Sequence, residues 1–379
     1  MGIRKALLVG ANYTNTAAKL DRPQHDITDF RSFLIQRYGF REEDITVLSD
    51  DPAVPPSQQP TYDNIMEHLE NFVDRNAEGA QYLFVFCGHA MQKPAINDLE
   101  EEDGLDEYII PVDAMNAEGA IEDDSKLIIQ DNTLRKYLVD AITATPSSQM
   151  VAIWDACHSN TIMDLHHHRC NRVDGAIHSR FRRLGREALE IGSKIFGDCF
   201  VDKIAHLMYE LEKTWKDSID PSHAKSNQRV RVCTGYCRRG KITEMWGNQG
   251  RVVCISACKD PQQSWEHPKK GSLTPWLMEV LSDKPNPSLK ELMHSLGEQT
   301  ERYYQSRISG NDPEINKKMK QSPQLSTEIP AVSYMDELLF LDMPRRDTGG
   351  EAVRPGSRLV YIFIPLVAFS AAFFLGFRK

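Results

Sequence analysis

A histidine and a cysteine each follow an apolar segment of strand type, and together they could form a catalytic pair. His89 comes after residues 82–86, and Cys157 after residues 150–154. A thiolate is the nucleophile in cysteine catalysis, and a nearby imidazole can generate it by taking the thiol proton. Taken alone, the residues would be interpreted as a loop histidine and a buried structural cysteine. If their strands are neighbours, the two side chains meet although 68 positions separate them.

The elements that must position this pair alternate between strand and helix. Strand patterns cover residues 3–10, 44–48, 82–87, 107–112 and 150–154, and helix patterns cover residues 24–38, 61–74 and 131–141. Such alternation predicts an α/β fold with a mainly parallel sheet, covered on both faces. Ligands bind such sheets beyond the carboxyl ends of the strands, where His89 and Cys157 lie. The pattern resumes with a strand at 251–256, helices at 273–281 and 289–304, and a strand at 331–340.

Bulk composition excludes some classes of protein. The chain has 379 residues and a formal net charge of −9, so we expect no nucleic-acid partner. Its eight cysteines occur without a recognisable export signal, which favours reduced thiols in a cytoplasmic compartment. The pairs Cys233/Cys237 and Cys254/Cys258 could suggest zinc, but Cys254 and Cys258 lie along a predicted strand, about 13 Å apart. We therefore expect no zinc.

Charge is unevenly distributed. Residues 98–124 contain twelve Asp or Glu and no Lys or Arg, while residues 158–250 contain sixteen Lys or Arg against eleven Asp or Glu. Clustered carboxylates suit a hard cation such as Ca²⁺, although a solvated acidic loop is the commoner fate of such runs. Residues 166–168 are three consecutive histidines, which we interpret as part of a solvated loop.

The end of the chain has the pattern of a membrane anchor. Residues 359–377 carry no charge and are flanked by Arg358 and by Arg378 and Lys379. As a helix this segment would be about 28 Å long, close to the thickness of a bilayer core. A buried C-terminal helix is the alternative. We expect a transmembrane helix that tail-anchors a cytoplasmic catalytic domain to a membrane.

Several motifs, taken in order, resemble those of metacaspases, the caspase-like peptidases of fungi, plants and protists. Residues 84–89 resemble the family's strand and Ser-Gly-His-Gly loop, and residues 155–159 resemble its Asp-Ser-Cys-His-Ser-Gly element. Further similarities cover residues 5–12, 103–113, 121–124, 255–260 and 322–326. The resemblance extends over about residues 3–342, apart from much of the basic segment.

The resemblance implies a three-layer α/β/α sandwich of caspase type with a dyad of His89 and Cys157. It implies cleavage after Arg or Lys, with Asp155 and Asp26 as the acidic residues of the substrate pocket. It also places calcium at Asp106, Asp123 and Asp124. Residues 1–157 would then be the large-subunit-like part, 158–250 a basic insertion or linker, 251–343 the small-subunit-like part, 344–358 a linker and 359–377 the membrane helix.

Departures from the family pattern leave a second function open. Cys87, Ala90, Ala156 and Asn160 stand where the family has other residues. The first hypothesis is a monomeric, calcium-assisted cysteine endopeptidase that acts on proteins and processes itself at Arg and Lys of the insertion. The alternative is a catalytically impaired scaffold or regulator at a membrane. An Asp-specific, caspase-type protease is disfavoured because Asp155 would repel an aspartate side chain.

Overall fold

The computed structural model describes much of the chain up to residue 329. The described residues are 3–94, 105–121, 126–156, 161–168, 171–173, 230–231, 248–258, 272–307 and 321–329. The predicted strand at 331–340 and the predicted membrane helix at 359–377 lie outside these ranges. No helix among the described residues is long and apolar enough to cross a membrane.

A six-stranded sheet forms the centre of the fold. Its strands are β1 (Arg4–Gly10), β2 (Ile45–Ser49), β3 (Gln81–Cys87), β7 (Gln149–Asp155), β10 (Arg251–Ser256) and β11 (Gln324–Thr327). Their order is β11-β10-β7-β3-β1-β2. All neighbours are parallel except β10 and β11. The middle strands β3 and β7 are buried over nearly their whole length, as expected for a sheet covered on both faces.

Helices pack on the two faces of this sheet. They are α1 (Pro23–Tyr38), α2 (Tyr62–Phe72), α3 (Asp131–Leu134), α4 (Asp140–Thr143), α5 (Leu273–Asp283) and α6 (Leu289–Arg307), with a π-helical turn (Arg135–Val139) joining α3 to α4. Leu7 and Val9 of β1 share one apolar core with α2 and the α3–α4 stretch. The intervening residues of β1 point to the opposite face. Helix α1 contacts β1 and α5, and α5 also contacts β7 and α6.

Local sequence signals explain where the helices begin and end. Pro23 is at the first turn of α1, where its missing N–H costs nothing, and Gly39 ends the helix with a left-handed φ of 61°. The Thr61 side chain accepts a hydrogen bond from the Asn64 backbone N–H, so it caps α2 as the sequence predicts.

A small antiparallel sheet follows β3, and its middle strand corresponds to the strand predicted at residues 107–112. It consists of β4 (Ala90–Pro94), β5 (Leu105–Ile109) and β6 (Ile129–Gln130), in the order β4-β5-β6. Two further short strands, β8 (Arg172–Val173) and β9 (Val230–Arg231), pair with each other. Strand β4 begins directly after His89, so this sheet continues the chain away from the end of β3.

The predicted α/β fold with a mainly parallel sheet is confirmed. Every predicted strand and helix within the described residues is present, with ends shifted by a few residues. The predictions missed β11, which pairs antiparallel to β10 through residues 324–327. Its four residues, Gln-Leu-Ser-Thr, have too few apolar side chains to give a strand pattern.

Candidate active site

The ends of β3 and β7 lie side by side. The two strands pair in register from Gln81 opposite Gln149 to Cys87 opposite Asp155. The Gly88 backbone N–H continues this pairing, 3.4 Å from the Asp155 carbonyl oxygen. His89 is therefore delivered to the edge of the sheet where β7 ends in Asp155.

The hydrogen bond of the His89 ring defines its tautomer. Its Nε2 atom lies 2.7 Å from the Ala18 carbonyl oxygen. A carbonyl can only accept, so Nε2 carries the proton and Nδ1 is the nitrogen that can take one. Burial lowers the pKa of His89 below its ordinary value, which favours the neutral imidazole at pH 7. His89 is thus held as a neutral base with a defined accepting nitrogen.

Tyr13 holds the backbone of the histidine loop. Its hydroxyl donates to the Ile110 carbonyl at 2.6 Å and accepts from the His89 backbone N–H at 3.0 Å. Its ring lies 4.6 Å from the His89 ring, centroid to centroid. A Cβ atom on Gly88 would come within 3.0 Å of the Tyr13 hydroxyl, which explains why glycine precedes the histidine.

The loop that supplies Ala18 is itself anchored. Asp50, just after β2, accepts hydrogen bonds from the backbone N–H groups of Asn12 and Thr14 and from the Gln24 side chain. At the other side of the loop, the Ala17 N–H donates to the Ala117 carbonyl oxygen. These contacts fix the carbonyl that orients His89.

Two carboxylates and a serine lie together at the N-terminus of α5. Asp155 accepts a hydrogen bond from the Thr274 backbone N–H at 2.8 Å. Asp26, on α1, accepts one from the Ser272 hydroxyl at 2.7 Å. Ser272 also interacts with Asp155. We call Asp26, Asp155 and Ser272 the acidic pocket.

The carboxylates of the acidic pocket are buried, and this changes their ionisation. Asp26 is 1% exposed and Asp155 7%. Burial, reinforced by the neighbouring charge of Asp155, raises the pKa of Asp26 to about 7. Burial also raises the pKa of Asp155, partly opposed by the hydrogen bonds from Thr274 and Ser272. Near pH 7, Asp26 is therefore partly protonated.

A second acidic group forms around β5 and α3. Asp106 is buried, and its Oδ1 atom has no hydrogen-bond partner among the described residues. The charges of Asp164 and Asp106 both act on Asp131, whose pKa burial raises to about 7. Asp131 also accepts a hydrogen bond from the Glu107 backbone N–H at 2.7 Å. Asp131 and Asp164 were not among the predicted metal ligands.

The histidine triplet differs from its prediction as a solvated loop. His167 is 2% exposed and His168 5%. His166 is half exposed and lies 2.8 Å from Glu328, which also pairs with Arg135. The physical reason is that the preceding residues 162, 163 and 165 pack into the apolar core. The segment after the predicted nucleophile is therefore fixed against β11 and the α3–α4 stretch.

The described residues include some of the predicted site and omit the rest. His89 and Asp155 lie at adjoining strand ends, and Asp26 joins Asp155 through Ser272. Cys157, Asp123 and Asp124 lie outside the described residues. Sequence reasoning missed Tyr13, Ala18 and Ser272. Of these, Ser272 had a signal, because a serine directly before an apolar helical run with Pro275 in its first turn is typical of a helix start.

Comparisons with known proteins agree with the motifs. Residues 4–166 match the family model described as metacaspase, peptidase C14 domain. Metacaspase-1B of Aspergillus oryzae is 29% identical over 334 residues, which are 87% of this chain and 68% of that protein. Metacaspase-1 of Kluyveromyces lactis is 27% identical over 329 residues, 86% of this chain and 66% of that protein. The chain thus matches about two thirds of the length of each relative.

Among solved structures, caspase-1 of Spodoptera frugiperda is similar with a TM-score of 0.38 and 10% identity, over 86% of both chains.

Tyr13→Phe tests the support of His89. The variant leaves the His89 N–H and the Ile110 carbonyl without their partner, so we expect a loss of about 1–3 kcal/mol in the free energy of unfolding, measured in urea. Tyr137→Phe is the matched control, since the hydrogen-bond partners of that hydroxyl among the described residues are two exposed side chains, Glu70 and Lys136. Equal effects of the two variants would contradict the assigned role of Tyr13.

Asp26→Asn tests the raised pKa in the acidic pocket. Because the folded-state pKa of about 7 exceeds the unfolded value of about 3.9, the protonated carboxyl stabilises the fold below pH 4, and this contribution is lost as the pH rises through 7. The stability of the wild type relative to the variant should fall by up to about 4 kcal/mol between pH 4 and pH 8. Asp29→Asn, an exposed charge on the same helix, is the control. Parallel pH curves for wild type and Asp26→Asn would refute the assignment.

Proposed function

We propose that this chain, whose residues 4–166 match the metacaspase, peptidase C14 domain and support a cysteine-type peptidase, is an endopeptidase that cleaves after Arg or Lys. Cys157 is the nucleophile and His89 the base. The proposal is carried by one observation: two buried carboxylates, Asp26 and Asp155, share Ser272 at the strand end next to His89.

The His89 tautomer supports the chemistry of the dyad. Cys87 and Asp155 are paired at the ends of the two neighbouring strands. His89 and Cys157 each come two positions later along their own chain segments, so both follow the same edge of the sheet. The Nδ1 atom of His89 takes the thiol proton of Cys157, and the thiolate attacks the carbonyl carbon of the scissile peptide. His89 then gives that proton to the leaving amine as the C–N bond breaks. Water, deprotonated by His89, then attacks the thioester carbonyl carbon, the C–S bond breaks, and the carboxylate product leaves. The proton passes from His89 back to the Cys157 sulfur, which restores the thiol.

Charge in the acidic pocket supports the specificity. A guanidinium can bond to two carboxylates with charge-assisted, bidentate geometry, whereas an aspartate side chain would be repelled. A cationic side chain in the pocket favours the ionised forms of Asp26 and Asp155, because an opposite charge stabilises the ionised carboxyl. Arg and Lys thereby fit the site better than acidic or apolar side chains.

A calcium ion is a further part of the proposal. The buried Asp106, with one oxygen lacking a hydrogen-bond partner among the described residues, fits a hard cation. Asp106, Asp123 and Asp124 would hold the ion, and the charge of Asp106 also acts on Asp131. A bound Ca²⁺ would offset the repulsion among these carboxylates. Calcium is expected to stabilise the site and not to take part in bond cleavage.

Peptide hydrolysis tests this function. We expect full-length protein with calcium to release a fluorogenic group from an Arg peptide at least about 100-fold faster than from the matching Asp peptide. Cys157→Ala should lower the rate by about 10³-fold or more. Cys254→Ala is the control thiol, because burial raises the pKa of Cys254 and keeps it protonated.

The same samples separate the alternatives. Loss of peptidase activity when calcium is chelated would support the metal site. Equal activity with and without the chelator would contradict the proposal of a calcium site. Self-processing predicts cleavage after basic residues of the insertion, visible as new intact masses that are absent in Cys157→Ala. No turnover of either peptide would favour the impaired scaffold over the enzyme.

Membrane attachment is the remaining proposal, and it rests on the uncharged residues 359–377. We expect the full-length chain to sediment with membranes and to be released by detergent but not by alkaline carbonate. A chain that ends at residue 358 should stay in the supernatant. Recovery of the full-length protein there would refute the anchor.

A further inference from the structure

The carboxylate of Asp26 already has a cationic partner from its own chain. Its Oδ1 atom accepts a hydrogen bond from Nη2 of Arg22 at 2.7 Å, and its Oδ2 atom accepts from Ser272. The Asp26 side chain is 2% exposed, whereas that of Arg22 is 24% exposed. The guanidinium of Arg22 is thus the solvent-facing partner of a carboxylate that is itself almost closed to solvent.

We propose that Arg22 is a resident occupant of the acidic pocket, which a substrate's Arg or Lys side chain must replace before it can bind. This inference rests on the proposed specificity for basic residues. It makes Arg22 a specificity-determining and autoinhibitory residue, because only a side chain that is also cationic can take its place beside Asp26 without leaving that carboxylate unpaired.

The contact made by Arg22 is of a kind that can be exchanged. Only one guanidinium nitrogen bonds to Asp26, and the buried Nε atom has no hydrogen-bond partner among the described residues. Arg22 precedes the first turn of α1, where the helix dipole disfavours a cation. In this pair the basic residue comes four positions before the acidic one. A pair in that order is weaker than one in which the acid comes first.

A substrate guanidinium would make the better contact. It could reach both Asp26 and Asp155, and two parallel hydrogen bonds to carboxylate are stronger than one. A substrate can bind only to molecules in which Arg22 has left the pocket. Its apparent affinity is therefore the intrinsic affinity multiplied by the fraction of molecules with a free pocket. If Arg22 occupies the pocket about nine-tenths of the time, its removal should strengthen binding about tenfold.

Binding to an inactive background isolates this effect from catalysis. In full-length Cys157→Ala, N-acetyl-arginine amide is titrated by calorimetry at pH 9, above the pKa of about 7 of Asp26. Arg22→Gln should lower the dissociation constant about tenfold, and Arg22→Lys, which keeps a cation, should change it much less. Arg31→Gln is the matched control, because Arg31 lies on α1 and pairs with the exposed Glu42 beyond the end of that helix.

Two further measurements separate the pocket from indirect effects. The gain from Arg22→Gln should vanish when Asp26→Asn is also present, since the two residues then share no ion pair. N-acetyl-citrulline amide, of the same shape but uncharged, should gain nothing. Circular dichroism melts confirm that Arg22→Gln and Arg22→Lys are folded.

Each outcome counts for or against a stated claim. If wild-type Arg22 protein binds the arginine amide and Arg22→Gln binds it equally or more weakly, the occupant role is overturned while the proposed specificity stands. If no variant binds the arginine amide, the specificity for basic residues fails, and the inference fails with it.

Discussion

The in-register parallel pairing of β3 with β7 is the constraint on which the site depends. It places Cys87 opposite Asp155, so that the residues just beyond each strand leave the sheet at one edge. A shift of one residue would turn every side chain of a strand to the opposite face, where the close-packed core has no space of matching shape. The near-complete burial of both strands therefore fixes the register, and the register brings His89 and Asp155 to the same edge.

The acidic pocket joins three distant parts of the chain. Asp26 comes from α1, Asp155 from the end of β7, and Ser272 from the start of α5, and α1 packs directly on α5. Asp155 also accepts a hydrogen bond from a backbone N–H of the first turn of α5, which favours a negative charge. The same carboxylate thus helps to hold the helix and to give the pocket its charge, which links the stability of the fold to the proposed specificity.

Much of this arrangement could be predicted because it is encoded locally. Apolar runs predicted the strands, Thr61 and Gly39 marked helix ends, the residues after two strands indicated His89 and Cys157, and the resemblance to metacaspases indicated Asp155. Other features depend on contacts that no local pattern records. The Ala18 carbonyl contributes through its backbone, so its residue type carries no signal for a bond to His89, and the burial of His167 follows from packing of the residues before it.

Affinity labelling tests the central claim, that a buried acidic pocket presents a basic side chain to a Cys157–His89 dyad. A peptidyl-arginine chloromethyl ketone and its aspartate counterpart are incubated with the protein, and the modified residue is mapped by mass spectrometry. The account predicts rapid alkylation of Cys157 by the arginine reagent alone, slowed strongly by Asp26→Asn. Equal labelling by the aspartate reagent, or labelling spread over other thiols, would contradict it.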